Sequence, residues 1–419
     1  MLMFLSDVHL TDGSSGETIK PTAFTIFADQ LKKIVDTAYP LQEVRIVLLG
    51  DIFDIIRSTQ WLAASVRPWD PESDAQREVV EKILTRILAN NADSLSIFGE
   101  LRDYFKGKGV PFQVDYIIGN HDWLVNRYPS CRSLVAEVLG VPSGTAPLFP
   151  CELFEPTYKV FARHGDIYDK FNHMGDRNAS SLGDAIVIEL LNKYPQMVEA
   201  GMTSLATRNK VTPREQQKVT ELLKELDNIR PILDAPSWVL MVMNKCENQA
   251  VRQLIEKSWE KCVDEFFEIP FIKEQDIPFW PDTIDLLQVA LHLSSRTSKK
   301  LLEKVTELKD RFIPSKIEGD YHEKAFSEPK VRSREANFVL YGHTHDQLVI
   351  PLDQEPATEE SVQDKVYFNT GTWRKTWNKV LFDPANREFV GWHVLSYVAV
   401  FKPGENGHYN FEVWNGALG

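Results

Sequence analysis

One repeated pattern constrains this chain more than any other: short apolar runs that stop abruptly at Gly, Asp, Asn or His. Leu2 to Leu5 runs into Ser6-Asp7-Val8-His9, Val44 to Leu49 into Gly50-Asp51, and Val114 to Ile118 into Gly119-Asn120-His121-Asp122. Two further runs close on Arg163-His164-Gly165-Asp166 and, far downstream, on Gly342-His343-Thr344-His345 after Phe338 to Tyr341. Short apolar runs bounded by turn formers predict buried strands of an α/β sheet, whose carboxyl ends gather functional loops. Helical spacing over Phe24 to Thr37, and from Asp74 toward Phe105, supplies the intervening helices of a β-α-β chain.

The stretch from about Phe171 to Phe312 has a different period. Apolar residues fall at helical spacing at Val219, Leu222, Leu223 and Leu226, at Val251, Leu254, Ile255, Cys262, Val263 and Phe266, and at Leu301, Val305, Leu308 and Phe312. Thr212-Pro213-Arg214-Glu215 opens one such helix with an N-cap, a Pro at its first position and an early Glu. This predicts a core over residues 1–170 and 313–419, interrupted by an all-helical insertion over 171–312. The polar clusters lie on both sides of the insertion, so 419 residues read as one core with an insertion rather than two lobes. An insertion emerging beside the cluster-bearing loops predicts a cap that selects substrates; a packing or oligomerisation module is the alternative.

Composition narrows the partners. Lys plus Arg total 47 against 60 Asp plus Glu, a net charge of -13 that disfavours non-specific binding to nucleic acid or an anionic membrane. The four cysteines show no CxxC pair, which suits buried thiols in a reducing compartment better than disulfides or a thiolate zinc site. No apolar run reaches membrane-spanning length, and the first residues lack the basic region of a signal peptide, so a cytoplasmic location is expected.

Five of the ten histidines fall in the polar clusters Asp7-x-His9, Gly50-Asp51-x-x-Asp54, Gly119-Asn120-His121-Asp122, His164-Gly165-Asp166 and Gly342-His343-x-His345. A lone Asp-x-His is commonly a hydrogen-bonding pair, and a lone Gly-Asn-His-Asp a turn. Together, each after a strand, the five supply what a pair of divalent cations needs: carboxylates to offset their mutual repulsion and His, Asp and Asn to fill the remaining positions. Mixed nitrogen and oxygen ligands without thiolate suit Mn, Fe or Zn.

The ordered set D-x-H, G-D-x-x-D, G-N-H-[DE], H, G-H-x-H resembles the signature of the calcineurin-like, or binuclear metallophosphoesterase, superfamily, over about residues 1–170 and 335–375. The resemblance implies a two-sheet β-sandwich flanked by helices and hydrolysis of phosphate monoesters or diesters. It implies that Asp7, His9, Asp51 and His345 hold one metal, and that Asp51 bridges to a second held by Asn120, His164 and His343, with Mn expected to serve in vitro. It implies a metal-bridging hydroxide as nucleophile, His121 as general acid beside the scissile phosphate, and Asp54 as the group orienting His121. Asn369, in Phe368-Asn369-Thr370-Gly371-Thr372, matches the turn that supports the metal rim from behind, and Asp12 and Asp166 are candidates for similar support.

Departures sort the branches. The protein serine/threonine phosphatases carry Arg-Gly after the second cluster, where this chain has Ile55-Ile56. A hydrolase of UDP-diacylglucosamine-type pyrophosphates shares the first cluster and a helical lid but usually has Arg in place of His121. A nuclease needs a basic groove that net charge disfavours, and a degenerate non-enzymatic scaffold normally lacks ligands that are all present here. The reading is thus a small phosphate ester as substrate. Arg208, Lys210, Arg214, Arg296, Lys299 and Lys300 are candidate phosphate contacts within the insertion, and Trp373 and Arg374 beside the last turn. Oligomeric state is not legible.

Overall fold

The computed structural model describes residues 1–38, 41–141, 147–208, 211–276, 283–292, 321–354, 364–380, 388–407 and 410–417. Its strands are β1 (Leu2–Leu5), β2 (Val44–Leu49), β3 (Phe112–Ile117), β4 (Glu152–Glu155), β5 (Val160–Arg163), β6 (Ile229–Arg230) and β7 (Phe338–Tyr341). There follow β8 (Gln347–Gln354), β9 (Asp364–Thr370), β10 (Thr376–Lys379), β11 (Phe389–Trp392), β12 (Val394–Val400) and β13 (Phe411–Ala417). They form two five-stranded sheets, β13-β12-β1-β2-β3 and β4-β5-β7-β9-β8, and a small third sheet, β11-β10-β6. The fold is mixed α/β.

Side-chain alternation stacks the layers. In β1 and β2, Leu2, Phe4, Val47 and Leu49 point one way and meet Val160, Ala162, Leu340 and Phe368 of the second sheet in one apolar cluster. Met3, Leu5, Ile46 and Leu48 point the other way, onto the helices Pro21–Thr37, Asp74–Asn90 and Ala92–Lys108. The outer face of the second sheet, at Phe161, Val339, Tyr341 and Tyr367, is covered by Tyr321 and Ala325 of the helix Tyr321–Ser327. The two large sheets therefore face each other with helices outside.

The helical stretch expected from Asp74 onward is two helices. Asn91 breaks it, its Nδ2 donating to Ile87 O at 2.7 Å and to Thr11 O at 2.9 Å, which ties the break to the loop after β1. The helix at Pro213–Lys224 opens as its sequence predicts, with Thr212 Oγ1 accepting from Glu215 N.

The inserted segment is not all-helical. β6 lies within it and pairs in parallel with β10, Trp377 opposite Ile229 and Asn378 opposite Arg230. Two residues carry no readable period, so this strand exists through its partner rather than its own pattern. Nor does the segment stand apart: its buried apolar residues from Leu182 to Leu291 share one cluster with the helices of the first sheet. Trp69 stacks on Phe271 at 5.3 Å, and Arg67 ion-pairs with Glu189 at 2.6 Å. The helical positions expected at Leu301, Val305, Leu308 and Phe312 lie outside the described residues. Three cysteines are buried as expected; the exception is Cys151, which is exposed. No helix among the described residues is long and apolar enough to cross a membrane.

Candidate metal centre

β1, β2 and β3 run parallel, as do β5 and β7, so the loops after all five open on one rim. The backbone there is constrained. Among the described residues seven non-glycines have positive φ, and five of them are Asp7, His9, Asp51, His343 and His345. Side-chain-bearing residues in this region cost energy that the surroundings must offset, and such strain concentrates at functional sites. The glycines of the clusters act differently, by their lack of a Cβ. One added to Gly119 would sit 2.2 Å from Asp51 Oδ1, and one on Gly50 2.5 Å from His164 Nδ1. These loops can approach so closely only because those positions are Gly.

The predicted ligands come together in two groups. In the first, His345 Nε2 lies 3.1 Å from His9 Nε2 and 3.3 Å from Asp7 Oδ1. In the second, His164 Nε2 lies 3.1 Å from Asn120 Oδ1 and 3.2 Å from Asp51 Oδ2, and His343 Nδ1 lies 3.0 Å from Asn120 Oδ1. Asp51 Oδ2 is also 3.9 Å from His9 Nε2, which puts one carboxylate oxygen toward both groups. Donor atoms about 3 Å apart have the separation of atoms bound about 2.1 Å from a shared ion. Asp7, His9 and His345, and separately Asp51, His164 and His343, each present atoms close enough to hold a cation.

The chemistry of the donors fits a metal as well. Asp7 Oδ2 is satisfied by Ser6 Oγ and by His343 N at 2.9 Å, whereas buried Asp7 Oδ1 forms no hydrogen bond and has only the Nε2 atoms of His345 and His9 near it, at 3.3 and 3.8 Å. An orphaned buried carboxylate oxygen is costly, and a cation on the His9 and His345 side would relieve it. Asp51 Oδ1 is held by His121 N at 2.8 Å, which leaves Oδ2 to face the imidazoles.

Asp54 is shared between a ligand and the candidate acid. Its Oδ1 is 2.7 Å from His121 Nδ1, as the resemblance implies, and its Oδ2 is 2.9 Å from His9 Nδ1. Both rings thereby turn Nε2 away from Asp54. Burial opposes charging His121, but Asp54 and then Asp51 outweigh it and raise its pKa to about 9. For His164 burial is likewise outweighed, by Asp51 and then Asp7, to about 10, so a cation bound there takes the place of a proton.

Other expected roles divide. Asn369 supports the rim: its Nδ2 donates to Gly342 O at 2.7 Å. Asp12 and Asp166 touch no predicted ligand; Asp12 accepts from Ser58 at 2.7 Å, and Asp166 pairs with Arg177. Trp373 is buried against Phe24 and Phe27 and donates to Ser396 O at 2.9 Å, a packing role. Arg208 and Arg214 are exposed, and Lys210, Arg296, Lys299 and Lys300 lie outside the described residues.

Two carboxylates had no assigned role in the sequence reading. Asp122 ties the second and third clusters together, accepting from Gly119 N at 2.7 Å, Ile52 N at 2.9 Å and Tyr116 Oη at 2.6 Å. Asp169, just past the fourth cluster, lies 3.0 Å from His343 Nε2 and fixes that ring with Nδ1 toward Asn120. A fourth Asp in a Gly-Asn-His-Asp turn was a visible signal; Asp169 had none.

Both groups open on a cavity of about 270 Å³. Asp51, Asn120, His121, His343 and His345 form its polar side, and the inserted segment walls the other with Ile186, Val187, Leu191, Ile232 and Leu233. The insertion thus packs on the core and lines the site at once. Comparison with family models finds no match to this chain, and comparison with curated proteins finds none either.

Proposed function

We propose that this chain is a binuclear, metal-dependent phosphoesterase of the calcineurin-like kind. The observation that carries the reading is the position of Asp51 Oδ2, 3.2 Å from His164 Nε2 in one ligand group and 3.9 Å from His9 Nε2 of the other. Asp7, His9, Asp51 and His345 would hold one ion, and Asp51, Asn120, His164 and His343 the other. Bound there, two divalent ions lower the pKa of water and neutralise phosphoryl oxygens.

The remaining work falls to the chain's own groups. Asp54 accepts from His121 Nδ1 and so presents a protonated Nε2 toward the cavity that His121 lines. As the P–O bond to the leaving group breaks, that proton passes to the leaving oxygen, and a proton from the attacking water restores it. Asp169 and Asp122 hold His343 and the Gly119 loop in register. The cavity's volume lies at the small end of ligand sites and suits a small ester, with the apolar wall receiving its leaving group.

A screen of the purified chain with Mn against phosphomonoesters and phosphodiesters tests this. Hydrolysis that depends on added metal and is lost in Asp51→Asn is expected; metal-independent hydrolysis, or none of any ester, would overturn it.

A further inference from the structure

Three arginines converge on Asp227 beside the candidate metal rim, two of them on its carboxylate. Arg57 Nε and Arg374 Nη2 both contact Asp227 Oδ2, the latter at 2.7 Å. Arg230 Nη1 donates to the backbone oxygens of Asp227 and Ile229, each at 2.9 Å, and Arg230 Nε lies 3.2 Å from His345 Nδ1. Among the described residues no carboxylate lies within ion-pair distance of Arg230 itself. One carboxylate thus serves two guanidiniums, while the third meets only backbone carbonyls and an imidazole.

The cluster is built but left short of acceptors. Arg57 is only 1% exposed, yet its Nη1 and Nη2 have no hydrogen-bond partner, and Arg374 Nη1 has none either. Buried guanidinium nitrogens without acceptors are expensive; Arg57 and Arg374 do not themselves line the cavity, so their uncompensated charge acts there through Arg230, which does. Arg230 and Asp227 line the same cavity as His121, His343 and His345.

Resting on the phosphoesterase reading, we infer that Arg230, backed by Arg57 and Arg374, forms a second anion subsite that holds a non-scissile phosphoryl group of the substrate. The substrate class is then a diphosphate, one phosphoryl at the metal rim and its neighbour one imidazole's width away, past His345, on Arg230. A guanidinium fork matches a phosphoryl group in both charge and shape. Sequence offered only Arg374 here, because the contacts that gather Arg57, Arg230 and Arg374 around Asp227 join segments far apart in the chain.

Binding of methylenediphosphonate and methylphosphonate to the Mn-loaded chain, followed by calorimetry, tests the assignment without turnover. Wild type should prefer the diphosphonate, and Arg230→Met and Arg57→Met should each weaken it about 10–100-fold while shifting methylphosphonate much less. Equal losses for both ligands would place Arg230 on the scissile group and overturn the inference. The melting temperature of metal-free Arg57→Met adds an independent readout. A residue kept for a ligand gives a value unchanged or raised by about 2–4 °C, whereas a comparable or larger fall would make Arg57 a structural strut. If wild type hydrolyses bis-p-nitrophenyl phosphate but binds the two phosphonates equally, the subsite fails and the phosphoesterase reading stands. If it neither binds Mn nor hydrolyses any ester, both fail.

Discussion

Replacing Gly119 by Ala should disable the metal centre without altering a single ligand. The added Cβ would stand 2.2 Å from Asp51 Oδ1 and 2.6 Å from Asp51 N, where ordinary contact begins at 3.4 Å, so the carboxylate or its loop must yield by more than an ångström. Neither yields freely: Asp51 Oδ1 is held by His121 N at 2.8 Å, and Gly119 N by Asp122 at 2.7 Å. Asp51 Oδ2 faces both ligand groups, so its displacement affects both ions. A misplacement of about 1 Å in a catalytic site costs about 100-fold in rate, and disturbed support of ligands costs about 10–100-fold in metal affinity. Calorimetric titration of chelator-stripped protein with Mn should show both sites weakened by that factor. Gly99→Ala is the control: nothing lies within 4 Å of its added Cβ, and its place inside the helix Ala92–Lys108 predicts a gain of about 0.5–1 kcal/mol. Wild-type Mn affinity at both sites in Gly119→Ala would refute the reasoning.

Further outcomes follow from the same geometry. His121→Ala should lower turnover of poorly activated esters by about 100–10,000-fold with metal content near wild type, and loss of metal would show that His121 is a ligand. Asp54→Asn should impair both metal affinity and turnover, because its two oxygens hold His9 and His121; an effect on turnover alone would contradict the His9 contact. Burial raises the Asp184 carboxyl from 3.8 to about 6, against hydrogen bonds from Ser180, Ser181 and Trp123. The folded state binds that proton more tightly than the unfolded chain, so the stability this contributes is full below about pH 4 and lost as pH rises through 6. Asp184→Asn should therefore raise the unfolding free energy from denaturant titration at pH 8, by up to about 3 kcal/mol, and leave it unchanged at pH 4. A gain of equal size at both pH values would exclude the titration as cause.

What was legible in the sequence was whatever announces itself locally. A strand that ends in Gly-Asp or Gly-His carries its own boundary, so the loops bearing Asp51 and His343 could be placed on a rim before any coordinates. Contacts closed across the fold left no such mark. Arg57 meets Asp227, and Asp169 meets His343, over separations that no spacing rule connects. Basic residues such as Arg208 and Arg214 lie near one another in sequence and are exposed, yet the arginines that gather in space are single residues in separate segments. β6 stayed hidden for a related reason: its register is supplied by β10, not by its two residues.

Counting bound metal and measuring hydrolysis in the same samples tests the central claim most directly. Chelator-stripped protein titrated with Mn should acquire activity toward bis-p-nitrophenyl phosphate that rises with bound metal and levels off at about two ions per chain. Fewer than about one ion bound, with no hydrolysis at saturating Mn, would contradict it.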